Sequence, residues 1–119
     1  MQTKDELGRH GEELAAQFLA GAGIEVIDRN WRCAEGEIDL VGLEHGTLVI
    51  IEVKTRSSLN YGHPFEAVSP AKLARLHVLA SRWSAAHRTG ASRRRVDVVS
   101  VLDDGAHPPV IEHLREVES

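Results

Sequence analysis

Residues 36–56 read GEIDLVGLEHGTLVIIEVKTR. Two stretches of alternating apolar and polar residues flank His45-Gly46, a dipeptide suited to a two-residue hairpin turn. A turn there sets Glu44 opposite Thr47. Counting back, Asp39 falls opposite Glu52 and Glu37 opposite Lys54. Alternation puts Glu37, Asp39 and Val41 on one face of the first strand, and Leu48, Ile50, Glu52 and Lys54 on one face of the second. The register therefore sets two carboxylates side by side, Cβ to Cβ about 5 Å apart.

Like charges so placed repel, by about 4 kcal/mol at 4 Å and an effective dielectric near 20. Either one carboxyl keeps its proton or a cation stands between the two. Mg²⁺ suits such a place, because it takes one or two carboxylates and fills its other positions with water and phosphate oxygen. The Val53 carbonyl offers a further oxygen. Lys54 shares the face of Glu52, where its ammonium can orient an attacking water or offset charge building on a phosphate. Asp39, Glu52 and Lys54 thus carry the minimal chemistry of a metal-dependent phosphodiesterase. The blander alternative is that these are solvent-face charges of a half-exposed sheet.

Outward from the hairpin, the chain reads as one domain, residues 1–119, of order αβββαββ. Thr3 with Glu6 three residues on predicts a helix start, and the helix runs from about Lys4 to Ala20. Its apolar stripe is Leu7, Leu14, Ala15, Phe18 and Leu19, with Glu12 at the stripe's edge. Gly8 and Gly11 would allow another backbone to come close. Ile24 to Arg32 is a first strand, Glu37 to Glu44 a second and Thr47 to Thr55 a third. Ser69-Pro70 opens a second helix, with Leu73, Leu76, Ala80 and Trp83 on its buried face. Arg95 to Leu102 and Val110 to Leu114 are the last strands, and the third strand, second helix and fourth strand suit a parallel βαβ unit.

Charge is unevenly spread. The chain carries 14 basic and 18 acidic residues, a net charge of −4, yet residues 54–95 hold nine of the basic residues against Glu66 alone. A block so one-sided suits a polyanion such as a nucleic acid, or else a solvated helix face. The single cysteine, Cys33, excludes an intrachain disulfide and a multi-thiolate metal site. The longest apolar run, residues 48–51, is far too short to span a membrane, and the polar start MQTKDELGRHGEE lacks a signal peptide's apolar core. We expect a cytoplasmic protein with no membrane partner.

Five blocks in order, GRHGEELAAQFL (8–19), NWRCAEGEIDLV (30–41), IIEVKTRSS (50–58), YGHPFEAVSPAKLARL (61–76) and RVDVV (95–99), resemble the YraN-like bacterial proteins. These are small endonuclease-like domains of the PD-(D/E)xK superfamily and are similar to archaeal Holliday junction resolvases. The resemblance implies a restriction-endonuclease-like fold, with a mixed central sheet flanked by helices. It implies Asp39 and Glu52 as metal ligands with the Val53 carbonyl, Lys54 as catalytic lysine, and Glu12 approaching the metal directly or through water. It implies Mg²⁺ or Mn²⁺ as cofactor and a two-fold dimer suited to symmetric cutting of a junction. Ile38 stands where the superfamily commonly has proline before the aspartate.

Other residues are candidates for nucleic-acid contact. Arg56 opens a long connection that holds Tyr61, His63 and Phe65, where aromatic rings beside cations would stack on unpaired bases. Lys72 and Arg75 would reach phosphate from the second helix, and in some nucleases of the superfamily that the chain resembles a lysine or glutamine of this helix assists catalysis; the alternative for Lys72 is a simple exposed lysine. Arg93 and Arg94 precede the fourth strand. Glu37 is a secondary candidate, its alternative a cross-strand ion pair with Lys54 or a solvent-facing charge. Asp97 reads as half of a structural ion pair. The leading expectation is a metal-dependent endonuclease acting on DNA, with branched DNA in view and repair or recombination as its setting. Its rival is a non-catalytic nucleic-acid-binding protein on the same fold.

Overall fold

The computed structural model describes residues 2–60 and 62–118. Tyr61 lies outside them, so its expected stacking role has no structural counterpart here. The elements are α1 (Lys4–Gly21), β1 (Glu25–Cys33), β2 (Gly36–Glu44), β3 (Thr47–Arg56), a 3-10 turn (Pro64–Ala67), α2 (Pro70–Ala86), β4 (Arg93–Leu102) and β5 (Val110–Leu114). The αβββαββ order holds, and the long connection after Arg56 contains that short 3-10 turn.

The strands form one mixed sheet in the order β1-β2-β3-β4-β5. Neighbours are antiparallel except β3 and β4, which run parallel and are joined through α2. Helices flank the sheet on both faces, the restriction-endonuclease-like arrangement expected. Leu48-Val49-Ile50-Ile51 is fully buried because β3 is central and covered on both sides. Val49, Ile51 and Val53 pack with Ala15, Ala16 and Leu19 of α1. Leu48 and Ile50 pack with Leu73, Leu76, Leu79 and Trp83 of α2.

Local chemistry sets the joints. Thr3 Oγ1 accepts the Glu6 N–H at 3.1 Å, and Ser69 Oγ accepts the Lys72 N–H at 3.1 Å, capping the two helices. His45 and Gly46 have φ of 48° and 79°, the two positive values a tight hairpin turn needs. Gly11 lies where α1 crosses β3, and a Cβ there would overlap the Thr55 side chain. Gly8 has open space around it, so only one of the two glycines serves close approach. The expected stripe of α1 also needs one correction. Phe18 is 38% exposed while Ala16 is buried, because the narrow gap over β3 takes the smaller side chain.

Candidate active site

The hairpin register holds from Glu44↔Thr47 to Leu40↔Ile51. One rung further the strands do something the alternation does not contain. Asp39 Oδ2 accepts a hydrogen bond from the Val53 backbone N–H at 2.8 Å. A side chain thus replaces a main-chain acceptor just where Asp39 and Glu52 face each other. Gly36, Glu37, Asp39, Glu52, Lys72, Arg75, Leu76 and Leu79 line one pocket, floored by the sheet and walled by α2.

Glu52 is 6% exposed, and two ammonium groups serve it. Lys54 Nζ and Lys72 Nζ each stand 3.5 Å from Glu52 Oε1. Lys54 comes from the same strand and Lys72 from the first turns of α2. Burial, then the adjacent Glu52 carboxylate, pushes the Asp39 carboxyl up to about 8. Near neutral pH, without a cation, Asp39 therefore holds its proton, as the pairing of two carboxylates demands. Burial and the neighbouring Lys72 lower Lys54, outweighing Glu52. Burial also acts against Lys72, but Glu52 and its hydrogen bonds hold that ammonium above its ordinary value.

Glu12 approaches from α1 on the opposite side. Burial raises its carboxyl, with Glu37 and Glu52 adding to the rise and a hydrogen bond from Asn30 opposing it. With its amide turned toward its acceptors, Asn30 donates to Glu12 Oε1 at 3.0 Å and to Glu37 Oε1 at 3.2 Å. Glu37 also pairs with Arg32, its cross-strand neighbour, at 3.2 Å. The expected alternative pairing of Glu37 with Lys54 is not made, because Lys54 turns to Glu52 instead.

The fit to a divalent cation can be judged from these donors. Among the described residues, no group of three or more His, Cys, Asp or Glu side chains is close enough to hold a metal. Glu12 does not join Asp39 and Glu52 as a third direct ligand. The side-chain donors that line the pocket together are the carboxylates of Asp39 and Glu52, with Glu37 beside them. Such a set suits Mg²⁺, which retains several waters, better than a cation needing a full protein cage.

The expected nucleic-acid contacts divide by position. Lys72 and Arg75 line the pocket. Arg56 ends β3, and its guanidinium donates to the Thr55 carbonyl at 3.0 Å. Arg93 and Arg94 pair with Thr47 and Leu48 at the other end of β3, while Lys54 pairs with Ser100. Thr47 and Leu48 are four to seven residues along β3 from Glu52 and Lys54, about 13–23 Å, and neither arginine lines the pocket. Asp97 is fully buried, paired with Arg95 at 3.0 Å and His113 at 2.8 Å. It is structural, as expected. Asn30 escaped the sequence reading. Its only signal was an asparagine, a residue tolerant of left-handed backbone, inside a strand.

Residues 11–101 match the model of uncharacterised protein family UPF0102. The chain belongs to this family. Among its relatives are UPF0102 proteins of Arthrobacter sp. (strain FB24), 64% identical over 98% of this chain and 99% of that one, and of Paenarthrobacter aurescens, 61% identical over 98% and 97%. The UPF0102 protein of Frankia casuarinae is 50% identical over 97% of this chain and 98% of its own. Among solved structures, the SPO1766 protein of unknown function from Silicibacter pomeroyi is 16% identical. The match covers 100% of this chain and 77% of that one, with a TM-score of 0.38. UPF0102 membership thus accounts for the YraN-like resemblance of the five sequence blocks.

Proposed function

We propose that this UPF0102 protein is a metal-dependent endonuclease-like phosphodiesterase acting on DNA, with branched DNA as the substrate to test first. The observation that carries the reading is the convergence of Asp39, Glu52 and Lys72 on one pocket, with Lys54 paired to Glu52 behind it, where one carboxyl stays protonated unless a cation intervenes. Asp39, Glu52 and the Val53 carbonyl would hold Mg²⁺ or Mn²⁺, with Glu12 reaching it through water. When bound, the cation would polarise the phosphate and lower the pKa of a coordinated water.

The chain's own groups divide the remaining work. Lys54 orients the attacking water at the Glu52 side of the pocket. Lys72 offsets charge on the phosphate oxygens from the α2 side, and its raised pKa keeps it cationic. Arg75, at the pocket wall, holds a neighbouring phosphate. Backbone contacts of this kind read charge and shape rather than sequence.

A second reading has its own observation. Glu52 is already neutralised by two lysines and Asp39 is satisfied by the Val53 N–H, so the cluster is stable as a purely structural ion pair. On that reading the protein binds nucleic acid without cutting it. The deciding experiment incubates the protein with labelled four-way junction, flap, single-stranded and duplex DNA. Mg²⁺ or Mn²⁺ is present, with EDTA and Lys54→Ala controls. Metal-dependent cutting lost in Lys54→Ala supports the nuclease. Salt-dependent binding with no cutting under any metal supports the binding protein.

A further inference from the structure

Asn30 has φ of 51° inside β1, a left-handed conformation that asparagine tolerates better than most residues. The β1–β2 pairing is regular on either side, with Arg29↔Leu40 and Trp31↔Ile38. The unusual backbone thus falls on the single rung opposite Asp39. Residues held in such a conformation mark places where the surroundings fix an otherwise sparse geometry. Here the surroundings are two carboxylates, one from α1 and one from β2, and the Asn30 amide has two donors. Each donor serves one of them: 3.0 Å to Glu12 Oε1 and 3.2 Å to Glu37 Oε1.

We propose that Asn30 is a positioning residue, a clamp that ties Glu12 of α1 to Glu37 of β2 and so fixes where the Glu12 carboxylate stands beside the Asp39–Glu52 pair. Without it, two like charges would face each other across the gap between helix and sheet, and Glu12 would swing toward solvent. The inference deepens the phosphodiesterase reading and rests on it for its consequence, that Glu12 is held ready to receive a water of the metal's shell. The clamp itself rests only on geometry.

Two measurements separate clamp from consequence. Asn30 is exposed, so the diagnostic is a comparison: in nuclear magnetic resonance of the metal-free protein, Glu12→Ala or Glu37→Ala should accelerate solvent exchange of the Asn30 side-chain amide protons relative to the wild type. Exchange indifferent to both substitutions overturns the clamp. The second measurement is Mn²⁺ affinity by calorimetry, with melting temperature alongside. Asn30→Gly keeps the left-handed backbone without strain and removes the amide. It should leave the melting temperature within a few degrees of wild type and weaken Mn²⁺ binding about 10- to 100-fold, as for partners that orient ligands from outside. Combined with Glu12→Gln, the loss should be no larger than that of Glu12→Gln alone. Additive losses, or unchanged affinity in Asn30→Gly, would overturn the positioning role. A wild type that takes up no Mn²⁺, with Asn30 amide exchange still accelerated by Glu12→Ala or Glu37→Ala, would overturn the metal reading and leave the clamp standing.

Discussion

Asp39 Oδ2 receives the Val53 backbone N–H at 2.8 Å, so the carboxylate that we propose as a metal ligand also closes the sheet where its regular pairing has stopped. The two duties are separable by mutation. Asp39→Asn keeps an acceptor for Val53 and should lose less than about 1 kcal/mol, whereas Asp39→Ala leaves that N–H unpaired and should cost about 1–3 kcal/mol. Both should abolish metal-dependent cleavage. Urea melts beside cleavage assays check the split; equal stability of the two variants would contradict it.

The raised pKa of Asp39 gives a pH dependence with a definite sign. The folded carboxyl titrates at about 8, against about 4 when unfolded. Between those values the native state holds a proton that the unfolded state has released. The contribution of Asp39 to stability is therefore full below about pH 4 and falls as pH rises toward 8. Asp39→Asn removes this slope. Metal-free wild type should lose on the order of 1–3 kcal/mol relative to Asp39→Asn between pH 5 and 9. Mg²⁺ should recover part of that loss in the wild type only. Denaturation curves at several pH values, with and without Mg²⁺, provide the test.

Lys54 and Lys72 share one oxygen of Glu52 and should not be interchangeable. Removing either as alanine should lower cleavage about 100- to 1,000-fold. DNA affinity should fall more in Lys72→Ala, because Lys72 stands in the α2 wall beside Arg75. The double variant should lose less than the product of the two, since both act on one carboxylate. Single-turnover rates and binding isotherms for the four proteins give the coupling directly.

Asp97 offers a control outside the pocket lining, although its cross-strand partner Ile51 directly precedes Glu52. Burial opposes its ionisation, but hydrogen bonds from His113, Arg95 and the Glu116 backbone N–H hold its carboxyl below the usual range. Its stabilising contribution is present above about pH 4 and is lost as pH falls through its lowered value. Asp97→Ala would leave Arg95 paired with Glu44 at 2.8 Å but deprive His113 and the Glu116 N–H of their acceptor, and should cost about 1–3 kcal/mol, with cleavage retained by whatever fraction stays folded. Loss of activity in fully folded Asp97→Ala would tie this network to the site.

The sequence by itself determined the element order, the hairpin register as far as Leu40↔Ile51 and the nearness of Asp39 to Glu52. Each follows from interactions between near neighbours: a turn with two positive φ values, the two-residue period of strands, and the Thr3 and Ser69 caps. The acidic pair was legible because both carboxylates lie in one hairpin. What depended on docking was not. Lys72 reaches Glu52 only because Leu73, Leu76, Leu79 and Trp83 seat α2 on the sheet, and Asn30 meets Glu12 only because Gly11 lets α1 settle on Thr55. Arg93 and Arg94 belonged to the same basic block as Lys72 in the chain, yet stand at the opposite end of β3 because β4 runs parallel to it. Periodicity places a side chain on a face; only the packing of helices against the sheet decides which faces, distant in sequence, come to share one pocket.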